Sequence, residues 1–449
     1  MTGMQPDLRQ AARTADSLAD GTVDALMGHL PLDAALVHLT QANRLMAAWQ
    51  KNSDLDPGNW NTDGIDAEVL AAMTRYVTAA RALPGWADPV LIEEAESVFM
   101  DHGPLSCALL FCASLPACYQ MPQLAEVLHL SGQLEQHTEH RIRQTAAMIF
   151  PVMMKGGLGT AEGGGVAQVL KVRLIHATIR HLIMQRQAGE AAALKDERHR
   201  TWCRHAWDSQ RLGVPCSQLE LAFTLLTFHC VFLQALRTLG LGLNPREEQA
   251  YLHAWNVVGH VLGVDDSLMA HDMDAALQLL ERLGSFQVDL AGASDPRPAL
   301  GAALVGALSR SIGLPVVRHL PVPMIERLLG RTAARRIGVG PQAGSATRAL
   351  FAVAMAVTGG IDRVGRWFSP GFSVTRMFTR VIGYHMLTRF LLDQTRPLAL
   401  PKHLLTQMHA TVRNWHSDTL APEWLNRLED RLTTTGHWLA TPPAHGGRP

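Results

Sequence analysis

The sequence predicts an all-α fold, and three observations carry that expectation. Apolar residues recur at three- and four-residue spacing almost throughout, alternating runs that would mark strands are nearly absent, and Gly, Pro or Asp/Asn stops separate Leu/Ala/Met-rich windows. With 449 residues, 47% of them hydrophobic and 18% charged, the chain has material for a sizeable core and is too apolar for extended disorder. The expected architecture is a single large helical domain with globin-like packing, carrying helical N- and C-terminal extensions.

The stops divide the chain in order: LDPGNWNTDG (55–64), LPGWADP (83–89), GGLGTAEGGG (156–165), GLGLNP (240–245) and ASDPRP (293–298). Residues 1–82 are expected to form the N-terminal helical extension and 83–320 the central domain. Residues 321–440 form an Arg-rich helical segment and 441–449 a disordered tail. The opening residues show no signal-peptide pattern. The longest apolar run, 219–236, is interrupted by Glu220, His229 and Gln234, so it reads as a buried helix rather than a membrane span. A cytoplasmic location is the resulting expectation. Cys107, Cys112 and Cys118 share one apolar stretch, while Cys203, Cys216 and Cys230 are scattered. Without CxxC or CxxCH they read as small reduced core residues.

The 40 Lys+Arg balance 40 Asp+Glu, which argues against nucleic acid as a partner. The balance is not local. Residues 1–100 carry 14 acids against 6 basic residues, a net of −8, whereas 301–400 carry 13 Arg, no Lys and 3 acids, a net of +10. The basic, apolar stretch 331–380 suits peripheral contact with an anionic membrane. It equally suits docking of the acidic N-terminal part, which is the preferred expectation.

The Gly-rich stretch 156–165 lacks the GxxxxGK[ST] ending and a preceding strand, so it reads as a flexible connection between two helices. Those helices hold the candidate chemistry. On the first, Arg141, Gln144, Thr145 and Met148 stand at i, i+3, i+4 and i+7, one helical face. That face leads into a buried space, or else Arg141 reaches solvent from an ordinary amphipathic helix. Pro151 should bend or end the helix just beyond. On the second, VAQVLKVRLIHATIRHLIMQR (166–186), His176 falls on a seam between Arg173 and Arg180 on one side and Val172, Ile179 and Ile183 on the other. An imidazole on such a seam suits the edge of a haem, with cations for its propionates; a structural histidine is the other reading. HExxH and GxSxG are absent. Glu126–His129 alone has the Glu-x-x-His spacing that a di-iron bundle needs twice. His253 and His260, around Trp255, lack carboxylates to complete a metal set.

Taken in order, LPGWAD (83–88), ESVFMDHGPLSCALLFCASLPACYQMPQLAEVLHLSGQL (96–134), RIRQT (141–145), KVRLIHATIR (171–180), LGVPCSQLELAFTLLTF (212–228) and EEQAYLHAWNVVGHVLGVDDSLM (247–269) form a series. It resembles the latex-clearing protein (rubber oxygenase) and MpaB-type oxygenase family. The resemblance implies an all-helical haem-binding domain, with a non-covalent haem b held by one histidine, the iron ligand that His176 matches. It implies a distal Arg-x-x-Lys-Thr pattern whose ends match Arg141 and Thr145. Gln144 stands at the Lys position, where an amide can donate a hydrogen bond but carries no charge. An acidic residue near the substrate corresponds, in the loosest part of the alignment, to Glu126. Met148 would help shape the pocket, and Arg173, ahead of Arg180, would meet the propionates. The implied chemistry is dioxygen activation and oxidative cleavage of a C=C bond in a hydrophobic, isoprenoid-like alkene to two carbonyl products. A twin-arginine export signal, typical of rubber-degrading members, is missing; polyisoprene cannot enter a cell, so a substrate smaller than rubber is expected. A haem-binding sensor or carrier without turnover, and a haem-less helical scaffold at a membrane surface, remain open alternatives.

Overall fold

The structure, a computed structural model, describes residues 7–28, 30–130, 138–185, 207–286, 288, 295–312, 318–368, 372–387, 424, 425 and 427. The described residues contain no strand. The helices begin where the sequence supplies caps. Asp16 precedes α1 (Ser17–Met27) and accepts from the Ala19 N–H; α2 (Leu32–Ala48) and α3 (Ala67–Ala80) follow. Asp88 caps α4 (Pro89–His102), whose Pro89 occupies the first helical position, where its missing N–H costs nothing.

Gly103, at φ +49°, then turns the chain through 88° into α5 (Pro104–Cys118). A π turn at Leu110–Ser114 interrupts α5 just ahead of Pro116, whose ring already breaks the hydrogen-bond ladder. Next come α6 (Pro122–Leu130), α7 (Thr138–Met153) and α8 (Gly165–Gln185). Pro151 does end α7 within two residues, as its sequence implied.

Ser217 caps α9 (Gln218–Thr238), and an Asn244–Glu247 capping box opens α10 (Pro245–Leu262). The chain continues through α11 (Met273–Ser285), α12 (Arg297–Ser311), α13 (Pro321–Leu329), α14 (Arg331–Arg336), α15 (Ser345–Phe368) and α16 (Val374–Leu387).

α9 is the axis of the core. It is long and apolar enough to cross a membrane, but here it is almost wholly buried among α10, α11 and the π turn of α5. Phe228 stacks on Trp255 (5.4 Å between centroids) and Phe232 on Tyr251 (4.8 Å), locking α9 to α10. α8 packs against α7, α1 and α10. α16 lies on α5 so closely that a Cβ at Gly383 would fall 1.6 Å from the Pro104 carbonyl oxygen. One continuous apolar cluster runs from Ala11 to Met386. Cys107, Cys112, Cys118, Cys216 and Cys230 are buried thiols; Cys203 and the tail 441–449 lie outside the described residues.

Two expectations need correction. Among the described residues, no ion pair joins the acidic N-terminal part to the Arg-rich segment. Asp16, Asp20 and Asp24 of α1 instead meet Arg173, Arg180 and His181 of α8, because acids four residues apart project from the one face of α1 that α8 covers. The Gly-rich connection between α7 and α8 is not a loose tether either, as its contacts below show.

Candidate functional site

The site is built by a brace. Asn52 Nδ2 donates to the Gly157 and Thr160 carbonyl oxygens at 2.9 and 2.8 Å, and its own N–H donates to Gly163 O at 2.6 Å. Ser53 N–H donates to Ala161 O at 2.9 Å, and Lys51 pairs with Glu162. From the other side the buried Glu96 carboxylate accepts the Gly156 N–H at 2.7 Å. Burial still holds Glu96 above the usual carboxylate range, opposed by the amides of Gly156, Leu158 and Gly157. A Cβ on Gly157 would lie 2.1 Å from Pro151 O, and one on Gly163 the same distance from Gly156 O. Only glycine permits these approaches, so the loop fixes α7 against α8.

On α8, Leu170, Leu174 and Ala177 enter the core. His176 is half-buried, and so are Val172, Ile179 and Ile183 on its apolar flank. On the neighbouring α7, Ile142, Ala146 and Ile149 are core, Met148 is buried and Thr145 half-buried. Gln144 is exposed, not drawn into the interior. The side chain of Arg141 lies outside the described residues; its neighbour Arg143, which the sequence reading passed over, is buried. Glu126 is half-buried on α6, which packs on α12, and α12 in turn touches α7. Thr145, Met148 and His176 therefore share adjacent helices, while Glu126 stands one helix away.

The two guanidiniums beside His176 differ in what they have left to give. Arg173 donates from Nε and Nη2 to the two Asp16 oxygens, the latter at 2.8 Å, and from Nη1 to Val261 O at 3.0 Å. All three of its guanidinium nitrogens are engaged within the protein. Its pair is sealed by Gly263, the left-handed residue (φ +88°) ending α10, where a Cβ would stand 2.6 Å from Asp16 Oδ2 and 2.7 Å from Arg173 Nε. Arg180 meets Asp20 through Nη2 at 3.3 Å, but its buried Nε and Nη1 have no acceptor among the described residues. Asp16 and Val261 thus occupy Arg173 more fully than Asp20 occupies Arg180.

Around Arg180 lie groups that the sequence reading did not select. Burial pushes Glu220 up to about 8, against the Cys216 amide and Arg180, which lower it. Burial likewise raises Asp20 to about 6, with Arg180 opposing. Farther along α9, His229 is driven down to about 3 by burial, and neither ring nitrogen has a hydrogen-bond partner among the described residues. The four-residue spacing of Asp16, Asp20 and Asp24 was a legible signal; the burial of Glu220 and His229 was not. His253 and His260 instead join His271 around Trp86, edge-on at 5.7, 5.9 and 6.4 Å. Among the described residues no set of three or more ligating side chains could hold a metal ion.

All of these α7 and α8 residues fall within positions 106–359, which match the family model described as ER-bound oxygenase mpaB/B′/Rubber oxygenase, catalytic domain. The chain belongs to this family. A rubber oxygenase from a Streptomyces species is 24% identical over 254 residues, which cover 55% of this chain and 54% of that relative, so the match spans about half the relative's length. The fold of this family member also resembles a solved structure of latex-clearing protein in its closed state. That likeness has a TM-score of 0.61, at 19% identity and with 92% of each chain covered.

Proposed function

We propose that this chain is a haem b-dependent oxygenase that activates dioxygen and cleaves a C=C bond of a hydrophobic, isoprenoid-like substrate into two carbonyl products. The observation that carries the reading is the half-buried His176 imidazole on an apolar face of α8, braced beside α7 inside the family's catalytic segment. The donor set fits the group. A single imidazole would hold the iron, Val172, Ile179 and Ile183 offer apolar surface for the ring, and Arg180 keeps two nitrogens with no acceptor among the described residues, suited to a propionate.

When bound, the haem supplies the redox chemistry at which dioxygen reacts. The chain supplies position and polarity. His176 would hold the group through a ring nitrogen, on a helix kept in place by the Asp16–Arg173 pair and the glycine brace. The Thr145 hydroxyl, with Arg141 on the same helix, would supply hydrogen-bond donors toward the dioxygen substrate. Met148 shapes the apolar space for the alkene. Both atoms of dioxygen end in carbonyl groups, so the overall cleavage balances without an external reductant.

The test is a UV–visible spectrum of the protein from haem-supplied cells beside a His176→Ala variant, followed by dioxygen uptake with small isoprenoid alkenes. A Soret band lost or shifted in the variant, with aldehyde or ketone products from the parent, is expected. A parent that stays colourless after haem titration overturns the proposal. The exposed, uncharged Gln144 favours a second reading, a haem sensor or carrier; a normal Soret band without consumption of any alkene would select it.

A further inference from the structure

α15 turns its most apolar stripe away from the protein. Leu350, Val353, Val357, Ile361, Val364 and Phe368 recur at three- and four-residue steps, within roughly a third of the helix circumference at about 100° per residue. They are 44–86% exposed. A different face of α15, marked by Phe351, Thr358 and Asp362, meets the protein. Scattered exposed apolar residues are ordinary, but a continuous stripe along a 24-residue helix marks a binding surface.

The surrounding charge identifies the occupant. Asp362 is the sole acid of α15, and it is buried, accepting from Ser373 Oγ and from the Val374 and Thr375 amides. The outer surface of the helix therefore carries no negative charge. It does carry the exposed Arg363, while the exposed Arg366 reaches back to the Gly240 carbonyl at 2.9 Å, and Arg331, Arg335 and Arg336 of α14 are exposed as well. Trp367, 89% exposed, adjoins the stripe at its C-terminal end, where an indole suits the boundary between headgroups and acyl chains. A second copy of this chain is a poor fit, because self-association would bring together two segments that each hold 13 Arg and 3 acids over 301–400.

We propose that α15 is an in-plane membrane-surface helix that seats the protein on anionic lipid, its stripe in the acyl boundary and its arginines among the headgroups. The proposal is independent of haem and of turnover.

Flotation of the full-length protein with phosphatidylcholine vesicles, with and without phosphatidylserine, tests it. The parent is expected to float with the phosphatidylserine vesicles and to lose binding as salt rises. Val357→Asp/Val364→Asp should lower partitioning by at least about tenfold, and Val357→Ser/Val364→Ser by a smaller factor, since burial of each valine is lost. Both pairs are exposed, so their thermal melts should match the parent's, and Trp367→Phe should abolish any lipid-induced blue shift in emission. Absence of binding to anionic vesicles, or aspartate variants that bind like the parent, would overturn the proposal. So would a parent that ignores vesicles and forms dimers which the aspartate pair dissociates.

Discussion

Asp16→Asn removes one charge from a pair that water barely reaches: the side chains of Arg173 and Asp16 are 10% and 6% exposed. The asparagine oxygen can still cap α1 at Ala19, so the variant isolates the ion pair from the cap. What remains is a guanidinium held by Val261 O and enclosed by Gly263, without its countercharge. Breaking a buried pair in this way costs about 3–5 kcal/mol, against roughly 1 kcal/mol or less for an exposed pair. Asp16→Ala should lose about 1 kcal/mol more, the value of the cap. The double variant Asp16→Leu/Arg173→Met should recover most of the loss, since two apolar groups leave no charge stranded. Urea denaturation followed by far-UV circular dichroism measures all four proteins at one pH. A loss below about 1 kcal/mol for Asp16→Asn, or a double variant no better than the single one, would refute the view that a buried pair latches α1 to α8.

Glu220 has its folded-state pKa raised to about 8 by burial. The native state therefore holds a proton that the unfolded chain releases from about pH 4.5, and this contribution to stability falls as pH rises to 8. Glu220→Gln should flatten that decline, matching the parent near pH 5 and exceeding it above pH 8 in urea midpoints; a variant that tracks the parent across this range contradicts the assignment. Gly157→Ala should lower stability by more than about 1 kcal/mol, because its Cβ would overlap Pro151 O, and haem titration should show weaker binding as α8 shifts against α7. An unchanged melting temperature would show that the brace yields. In a Cys203→Ser background, Ellman's reagent should find no reactive thiol until the protein unfolds. Cys107, Cys112 and Cys230 are buried, with thiol pKa values pushed up, to about 12 for the latter two. Reaction of a native thiol would place a channel through α5 or α9.

What helical spacing alone can show was legible in the sequence. The spacing of Arg141, Thr145 and Met148 and the seam at His176 are properties of single helices, and helical periodicity exposes them directly. The Gly-rich stretch shows the limit. Its glycines were visible, but flexibility and close approach call for the same residue, and only the carbonyls of Pro151 and Gly156 distinguish them. Likewise the surplus of acid in the first hundred residues and of arginine after 300 suggested a docking that α1 does not make; summed charge says nothing about which helix faces meet.

The sequence by itself determined the helices, their caps and breaks, the burial of α9, and the family pattern carried by 106–359. These depend on periodicity and on backbone chemistry within a few residues. Tertiary structure decided which charges are spent. It placed Asp16 on Arg173 from 157 positions away, left two Arg180 nitrogens with no acceptor among the described residues, buried Glu220 beside it, and turned the stripe of α15 outward. Burial and pairing are properties of contacts between distant segments, and a side chain's protonation and remaining hydrogen-bonding capacity follow from those contacts rather than from its neighbours in the chain.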